Sequence, residues 1–329
     1  MRGQVVRSPK ARKYCAGSRF RGNALVGAAN TVHHAGAGLK IGDMNGEERK
    51  DATLAPCGAA LSRRPESGGL VGMKPSPLLC LEDISVRFGG IVALDGISFE
   101  VGGGQICGLI GPNGAGKTTL FNCLSRLYRP NRGAITFEGR PLLSAPKYEI
   151  ARLGIARTFQ NLALFRTMTV LENVMIGAHC RARGGFGADA FALPLIRREE
   201  RRIRECAMAL IEEFALGPFV RALVSDLPFG TQKRVELARA LASEPKLLLL
   251  DEPAAGLNHE EVDRLRGEIL GIRDRRGITV LLVEHHMNLV MRVSDQVVAL
   301  NFGRKIADGP PAEVQQNPDV IRAYLGDAA

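Results

Sequence analysis

No apolar run in this 329-residue sequence approaches the ~20 residues needed to cross a bilayer. If the protein serves a membrane, it does so through a partner. The N-terminal stretch has no apolar core of the signal-peptide kind. The seven cysteines (15, 57, 80, 107, 123, 180 and 206) include no CxxC pair. That excludes a zinc site of the usual spacing and fits a reducing compartment better than a disulfide framework. A formal charge of +10 would suggest nucleic acid if it covered a folded surface, and it does not. Residues 1–72 hold 12 Lys/Arg against 5 Asp/Glu, a balance of +7, and the remaining 257 hold 32 against 29, only +3. The basicity belongs mostly to a tail, so no nucleic-acid partner is expected. Residues 1–75, rich in Gly, Ala and Arg with little apolar periodicity, are expected to be a disordered basic extension. An open reading frame begun too far upstream is the other reading, since Met73 stands just before the first strand-like segment.

From Leu78 the character changes. With 45% hydrophobic and 24% charged residues the chain can bury a sizeable core. Leu81, Ile84, Val86 and Phe88 alternate as in a strand, and Gly89-Gly90 turns into Ile91–Val101. Ile106–Ile110, Leu247–Leu250 and Thr279–Val283 are short continuous apolar runs of the buried-strand kind. Between the last two, Val262, Leu265, Ile269 and Ile272 share one helical face, with Asn258 and Glu261 as a capping start. Buried strands alternating with amphipathic helices predict a parallel α/β sheet. The middle of the chain, from about 161, lacks strand signals, and Arg197–Phe214 reads as a charged helix. Val297–Leu300 and Arg304–Ala307 flank Asn301-Phe302-Gly303 as a hairpin, and a last helix runs through Val314, Ile321 and Leu325.

Gly111-Pro-Asn-Gly-Ala-Gly-Lys-Thr118 follows a buried strand and precedes a helix with apolar positions Leu120, Phe121, Leu124 and Leu127. A loop of this pattern in that setting is a phosphate cradle. Its glycines let successive N–H groups curl around an anion, and the helix N-terminus adds partial positive charge. Lys117 is placed to reach the β- and γ-phosphates and Thr118 to ligate Mg²⁺. A second nucleotide signal is Leu247-Leu-Leu-Leu-Asp251-Glu252-Pro253. A buried strand carries Asp251 to its C-terminal end, where it can hold the Mg²⁺ shell, and places Glu252 to polarise an attacking water as general base.

Many phosphate-loop ATPases share those two motifs; others make this one specific. Gln160 stands in Ala-Arg-Thr-Phe-Gln160-Asn, and Leu227-Pro-Phe-Gly-Thr231 opens a helix stopped near Glu244-Pro245. Ala255-Gly-Leu-Asn258 follows the second nucleotide motif, and His285 stands in Val-Glu-His285-His-Met. Over about residues 77–326 the sequence resembles the nucleotide-binding subunit of ABC transporters. The resemblance implies a P-loop NTPase core with a parallel sheet, an antiparallel β subdomain and an inserted α-helical subdomain at about 161–232. It implies ATP and Mg²⁺ as cofactors, with Gly111, Asn113, Gly114, Gly116, Lys117, Thr118 and Thr119 holding ATP and Phe88 stacking on adenine. Thr118, Gln160 and Asp251 would serve the metal, and Glu252, His285 and Gln160 catalysis. Phe229, Gly230 and Thr231 match the signature motif that serves ATP on a partner cassette, which implies an ATP-sandwiched dimer. Asn258 matches the D-loop. The signature departs from the family's Leu-Ser-Gly-Gly-Gln: Pro228 replaces the serine, leaving Thr231 to supply a hydroxyl.

A finer resemblance is to the larger ATPase of branched-chain amino acid importers. It is carried by Ala156–Phe165, Met168–Asn173, the Leu-Pro-Phe-Gly signature, Glu252–Asn258 and the ending Pro318–Gly326. It implies a second ATPase or a second copy of the chain, two membrane permease subunits and, indirectly, a periplasmic binding protein, with this chain on the cytoplasmic face of the membrane. Importers for urea or amides and lipopolysaccharide-type exporters share much of the pattern. A soluble ATPase of translation or DNA repair is disfavoured by the single cassette and the lack of sustained heptads.

Overall fold

The computed structural model describes residues 77–160, 162–181 and 194–325. The expected extension over 1–75 lies outside these residues, as does 182–193 within the helical region. Two sheets organise the rest. Strands β1 (Leu79–Phe88), β2 (Ile91–Val101), β4 (Arg132–Phe137) and β5 (Arg140–Pro141) form an antiparallel sheet in the order β2-β1-β4-β5. The second has six strands: β3 (Ile106–Ile110), β6 (Ile155–Arg157), β7 (Leu247–Asp251), β8 (Thr279–Val283), β9 (Gln296–Asn301) and β10 (Arg304–Gly309). Their order is β10-β9-β3-β8-β7-β6, parallel throughout except for the β9–β10 hairpin.

Every residue of β3, β7 and β8 is buried. Successive side chains leave a strand on opposite faces, so a strand covered on both sides reads as an unbroken apolar run. Cys107, Leu109, Leu249, Leu281 and Val283 face one core with the antiparallel sheet and α1 (Lys117–Leu124). Ile106, Ile110, Leu248, Leu250 and Leu282 face the other, with α2 (Val170–Gly177), α3 (Pro194–Glu213), α4 (Phe229–Leu241), α5 (His259–Arg276) and α6 (Met287–Val293). Two short helices, α7 (Pro311–Gln316) and α8 (Pro318–Leu325), end the described chain.

Several boundaries differ from the sequence expectation. α1 stops at Leu124, and Leu127 lies beyond it, 56% exposed. α4 starts at Phe229, before Thr231, because Pro228 supplies its N-cap and fixes an extended entry. The expected last helix is two helices broken at Asn317-Pro318, where proline cannot continue a helix. The three-residue β6 gave too short a pattern to read, and β4 begins with Arg132-Gly133, which breaks the apolar run. The Asn258/Glu261 capping box forms as expected: the Glu261 N–H donates to Asn258 Oδ1 (2.9 Å) and the Asn258 N–H to Glu261 Oε2 (3.0 Å). Cys80, Cys107, Cys123 and Cys180 are free thiols.

Two helix contacts matter for the site. Gly177 meets α4 so closely that a Cβ there would stand 1.9 Å from the Arg239 carbonyl oxygen, which leaves no room for any side chain. Between α4 and α5 lies a small cavity of about 70 Å³, with Arg234, Glu261, Arg264 and Glu268 in its lining. Burial pushes the Glu268 carboxyl up to about 7, with Arg234 and Arg264 opposing the rise. The folded state therefore holds a proton on Glu268 that the unfolded chain releases near 4.5. Stability from this group is fully present below pH ~4.5 and is lost as pH rises through about 7. Replacing Glu268 with Gln should leave the Tm at pH 4.5 nearly unchanged and raise it at pH 8, read by thermal unfolding across that range.

Candidate active site

The C-terminal ends of β3, β7 and β8 lie side by side. Leu109 pairs with Val283 and Val283 with Asp251, so the residues that follow each strand emerge at one edge. After β3 the chain enters the glycine loop. Gly111 has φ +148 and Gly116, the N-cap of α1, has φ +101. A Cβ at Gly111 would stand 2.2 Å from the Leu300 carbonyl oxygen, and one at Gly116 2.7 Å from the Ala93 carbonyl oxygen. Glycine is thus required by contact as well as by backbone angle. A Cβ at Gly114 would meet nothing within 4 Å, so the mouth of the loop is open where an anion would sit. Asn113, Gly114 and Thr118 are exposed and Thr119 is half-buried around that mouth.

Lys117 is 6% exposed, and its Nζ donates to the carbonyls of Gly111 (2.6 Å) and Pro112 (3.0 Å). Burial lowers its pKa from the ordinary lysine value, opposed by the charges of Glu252 and Asp251. Glu252, next to the end of β7, has φ +49, and its N–H donates to the Val283 carbonyl at 2.9 Å. Its carboxylate is held from both sides: Gln160 Nε2 donates to Oε2 at 2.8 Å, and His285 Nε2 lies 2.9 Å from Oε1. The three residues assigned to catalysis, which are far apart in sequence, meet on one carboxylate.

Three buried charges fix the loops that carry them. Glu284 accepts from the Ala254 N–H (2.6 Å) and from the N–H groups of His285 (3.0 Å) and His286 (3.3 Å), joining the loop after β7 to that after β8. Glu236 on α4 accepts from the Phe159 N–H at 3.1 Å, and burial raises its pKa from the ordinary carboxylate value. Arg157 pairs with Asp251 at 2.7 Å, both side chains less than a tenth exposed. The same guanidinium donates to Asn122 Oδ1 (2.8 Å) and Ser125 Oγ (3.1 Å) and lies over the rings of Phe121 and Phe159. None of these three was singled out from the sequence. Glu284 and Glu236 gave no signal beyond a polar residue in an apolar setting, while Arg157 stood three positions before Gln160.

The other expected residues fall at varied places. Phe88, at the end of β1, is 45% exposed and meets Tyr128 edge-on, with ring centroids 5.2 Å apart. Phe229 is exposed at the start of α4, with Lys233 Nζ 5.6 Å from its ring centroid. Gly230 packs on Glu261, where a Cβ would stand 2.1 Å from Oε1. Thr231, expected to offer its hydroxyl outward, is 7% exposed, and its Oγ1 accepts from Arg234 at 3.2 Å. Asn258 uses its side-chain oxygen to cap α5. The oxygen donors suit Mg²⁺, with the Thr118 hydroxyl at the open loop mouth and the Asp251 carboxylate at the same sheet edge, although the Oδ2 of that carboxylate is engaged by Arg157. Among the described residues no group of three or more His, Cys, Asp or Glu is placed to hold a metal ion by itself.

Comparison with known proteins agrees with this geometry. The ABC transporter family profile matches residues 94–255, and that described as branched-chain amino acid ATP-binding cassette transporter matches 304–329. The high-affinity branched-chain amino acid transport ATP-binding protein BraF of Pseudomonas aeruginosa is 44% identical over 252 residues, 77% of this chain and 99% of BraF. The correspondingly described LivG of Escherichia coli K12 is 42% identical over the same shares. A nucleotide-free ATP-binding cassette from an ABC transporter aligns with a TM-score of 0.67 at 31% identity, covering 76% of this chain and all of that one. The ADP conformation of an ATP-binding cassette aligns equally well, at 32% identity over 77% of this chain and all of its own. With an open phosphate loop beside a bracketed glutamate, and relatives matched almost end to end, the chain belongs to the ATP-binding proteins of ABC transporters, a family of ATPases, in the branch that holds BraF and LivG.

Proposed function

We propose that this chain is the ATP-hydrolysing subunit that energises import of branched-chain, hydrophobic amino acids across the cell membrane. The observation that carries the enzymatic part is the Glu252 carboxylate held between Gln160 and His285 beside the phosphate loop. The cargo rests on the family match over 304–329 and on the functions of BraF and LivG. Among the described residues no helix is long and apolar enough to cross a membrane. The chain would work at the cytoplasmic face beneath two permease subunits, with a second ATPase and a binding protein completing the importer.

In this reading the loop amides of residues 111–119 and the Lys117 ammonium bind the ATP phosphates, and Phe88 offers its exposed ring to adenine. Thr118, Asp251 and Gln160 would hold Mg²⁺, which would supply neutralisation of the phosphate charge. Glu252 accepts the proton of the attacking water, and Gln160 and His285 keep its carboxylate aimed at that water. Gln160 sits on a loop tied to α4 through the Phe159 N–H and Glu236, which would link the site to the helical region. Phe229 and Gly230 are the signature residues left near the surface to face a partner's ATP. Thr231 and Asn258 would reach that ATP only by releasing Arg234 and the α5 cap.

Replacing Glu252 with Gln should lower phosphate release at least about a hundredfold while an ATP-bound dimer accumulates, followed by phosphate assay and size-exclusion chromatography. Wild-type turnover would remove Glu252 from its role. Replacing Arg157 with Met leaves Asp251 buried without its partner. A destabilisation of about 3–5 kcal/mol is expected, read as a loss of roughly 10 °C or more in Tm. A mild-detergent pull-down from native cells should recover two multi-span membrane subunits and a second cassette. Ribosomal or DNA-repair proteins in their place would sink the transporter assignment.

A further inference from the structure

The C-terminal helix touches the phosphate loop. Tyr324, in the second turn of α8, accepts a hydrogen bond on its phenol oxygen from the Gly111 N–H at 2.7 Å. Gly111 is the first residue of the glycine loop, and the peptide groups on both sides of its Cα are held. Leu300 of β9 closes over its Cα, where a Cβ would meet the Leu300 oxygen at 2.2 Å. Its carbonyl accepts from the Lys117 ammonium at 2.6 Å. Tyr324 and Lys117 therefore hold the two peptide groups that flank the Gly111 Cα, one from the C-terminal helix and one from the group that reaches for phosphate.

α8 is built to stand at this place. Asn317 turns the chain by accepting from the N–H groups of Asp319 (2.8 Å) and Val320 (3.4 Å), and Val320, 3% exposed, seats the helix in the core. Beside the Tyr324 contact a groove of about 460 Å³ separates the loop from the helix, with Pro112, Asn113, Asp319 and Arg322 among its walls. The helix is thus tied to the loop locally rather than packed flush against it. Tyr324 is 38% exposed, and the covered part of its side chain raises its pKa from the ordinary tyrosine value, opposed by the Gly111 hydrogen bond.

We propose that Tyr324 is a positioning residue for nucleotide binding, coupling the docking of the C-terminal helix to the conformation of the phosphate loop. The inference rests on the reading of that loop as the ATP site. A nucleotide phosphate draws the Lys117 ammonium away from the Gly111 carbonyl, and the preceding peptide, whose N–H belongs to Gly111, stays anchored on the Tyr324 oxygen at the entry to the loop. Free-energy coupling between two sites is reciprocal, so ATP should order α8 as much as α8 prepares the loop. Phosphate-loop occupancy becomes legible at the C-terminal end of the cassette, away from the helical region.

Tyr324→Phe in the full chain keeps the ring and removes only the hydroxyl. One hydrogen bond of ordinary strength predicts an ATP Kd raised roughly fivefold, with the Tm of the nucleotide-free protein within a degree or two of wild type. In wild type, ATP should slow amide hydrogen exchange over residues 318–325, and the variant should lose that nucleotide dependence. Lys117→Ala serves as the control for the site itself. An unchanged Kd with unchanged ATP-dependent protection of α8 overturns the proposal. So does a lowered Tm with an unchanged Kd, which would mark the hydroxyl as a structural cap alone. Wild-type protein that binds ATP no better than Lys117→Ala would instead overturn the ATP-site reading, a result distinct from either.

Discussion

Three neighbouring parallel strands, each buried along its whole length, set the frame on which the active site depends. The register of β3, β8 and β7 puts Leu109, Val283 and Asp251 on one level, so the phosphate loop, the Glu284-His285 pair and the Asp251-Glu252 pair leave the sheet together. Catalytic geometry is thereby inherited from hydrophobic burial: the strands cannot slip by one residue without turning core side chains onto the wrong face. The two cores on either side, one joined to the antiparallel sheet and one to the helices, lock that register from both faces.

On this frame the polar groups are arranged in two tiers. The outer tier is half-exposed: Glu252 lies between Gln160 and His285, and the buried Lys117 is close enough to feel its charge. The inner tier is buried and structural. Glu284 holds two loops by their amides, Glu236 holds the start of the Gln160 loop to α4, and Arg157 ties Asp251 to α1. A buried charge left without its partner is costly, so each of these contacts constrains where its loop can go. The Phe159 peptide, next to Gln160, is thereby fastened to α4.

Much of this was readable from the chain. The glycine loop, the Asp251-Glu252 pair and the capping start at Asn258 obey local rules of spacing and backbone, and all three appear where expected. The elements that escaped were those whose stability comes from pairing. β6 has only three residues and exists because β7 lies beside it, while β4 contains Gly133 and is held by β1. The break at Asn317-Pro318 was signalled by the proline, but the apolar spacing of Val314, Ile321 and Leu325 reads through it. Thr231 shows the limit most clearly: a hydroxyl at the head of a helix suggests an outward donor, and only packing reveals that Arg234 claims it.

The sequence by itself determined the reaction chemistry and the order of its parts, because loop geometry, strand burial and helix capping depend on residues close together in the chain. Tertiary structure alone decided that Gln160, Glu252 and His285 share one carboxylate, that Arg157 neutralises Asp251, and that Tyr324 reaches Gly111. Those contacts join residues between 33 and 213 positions apart. Nothing local encodes such pairings; they follow from strand order and register, which are settled only when the whole core is packed at once.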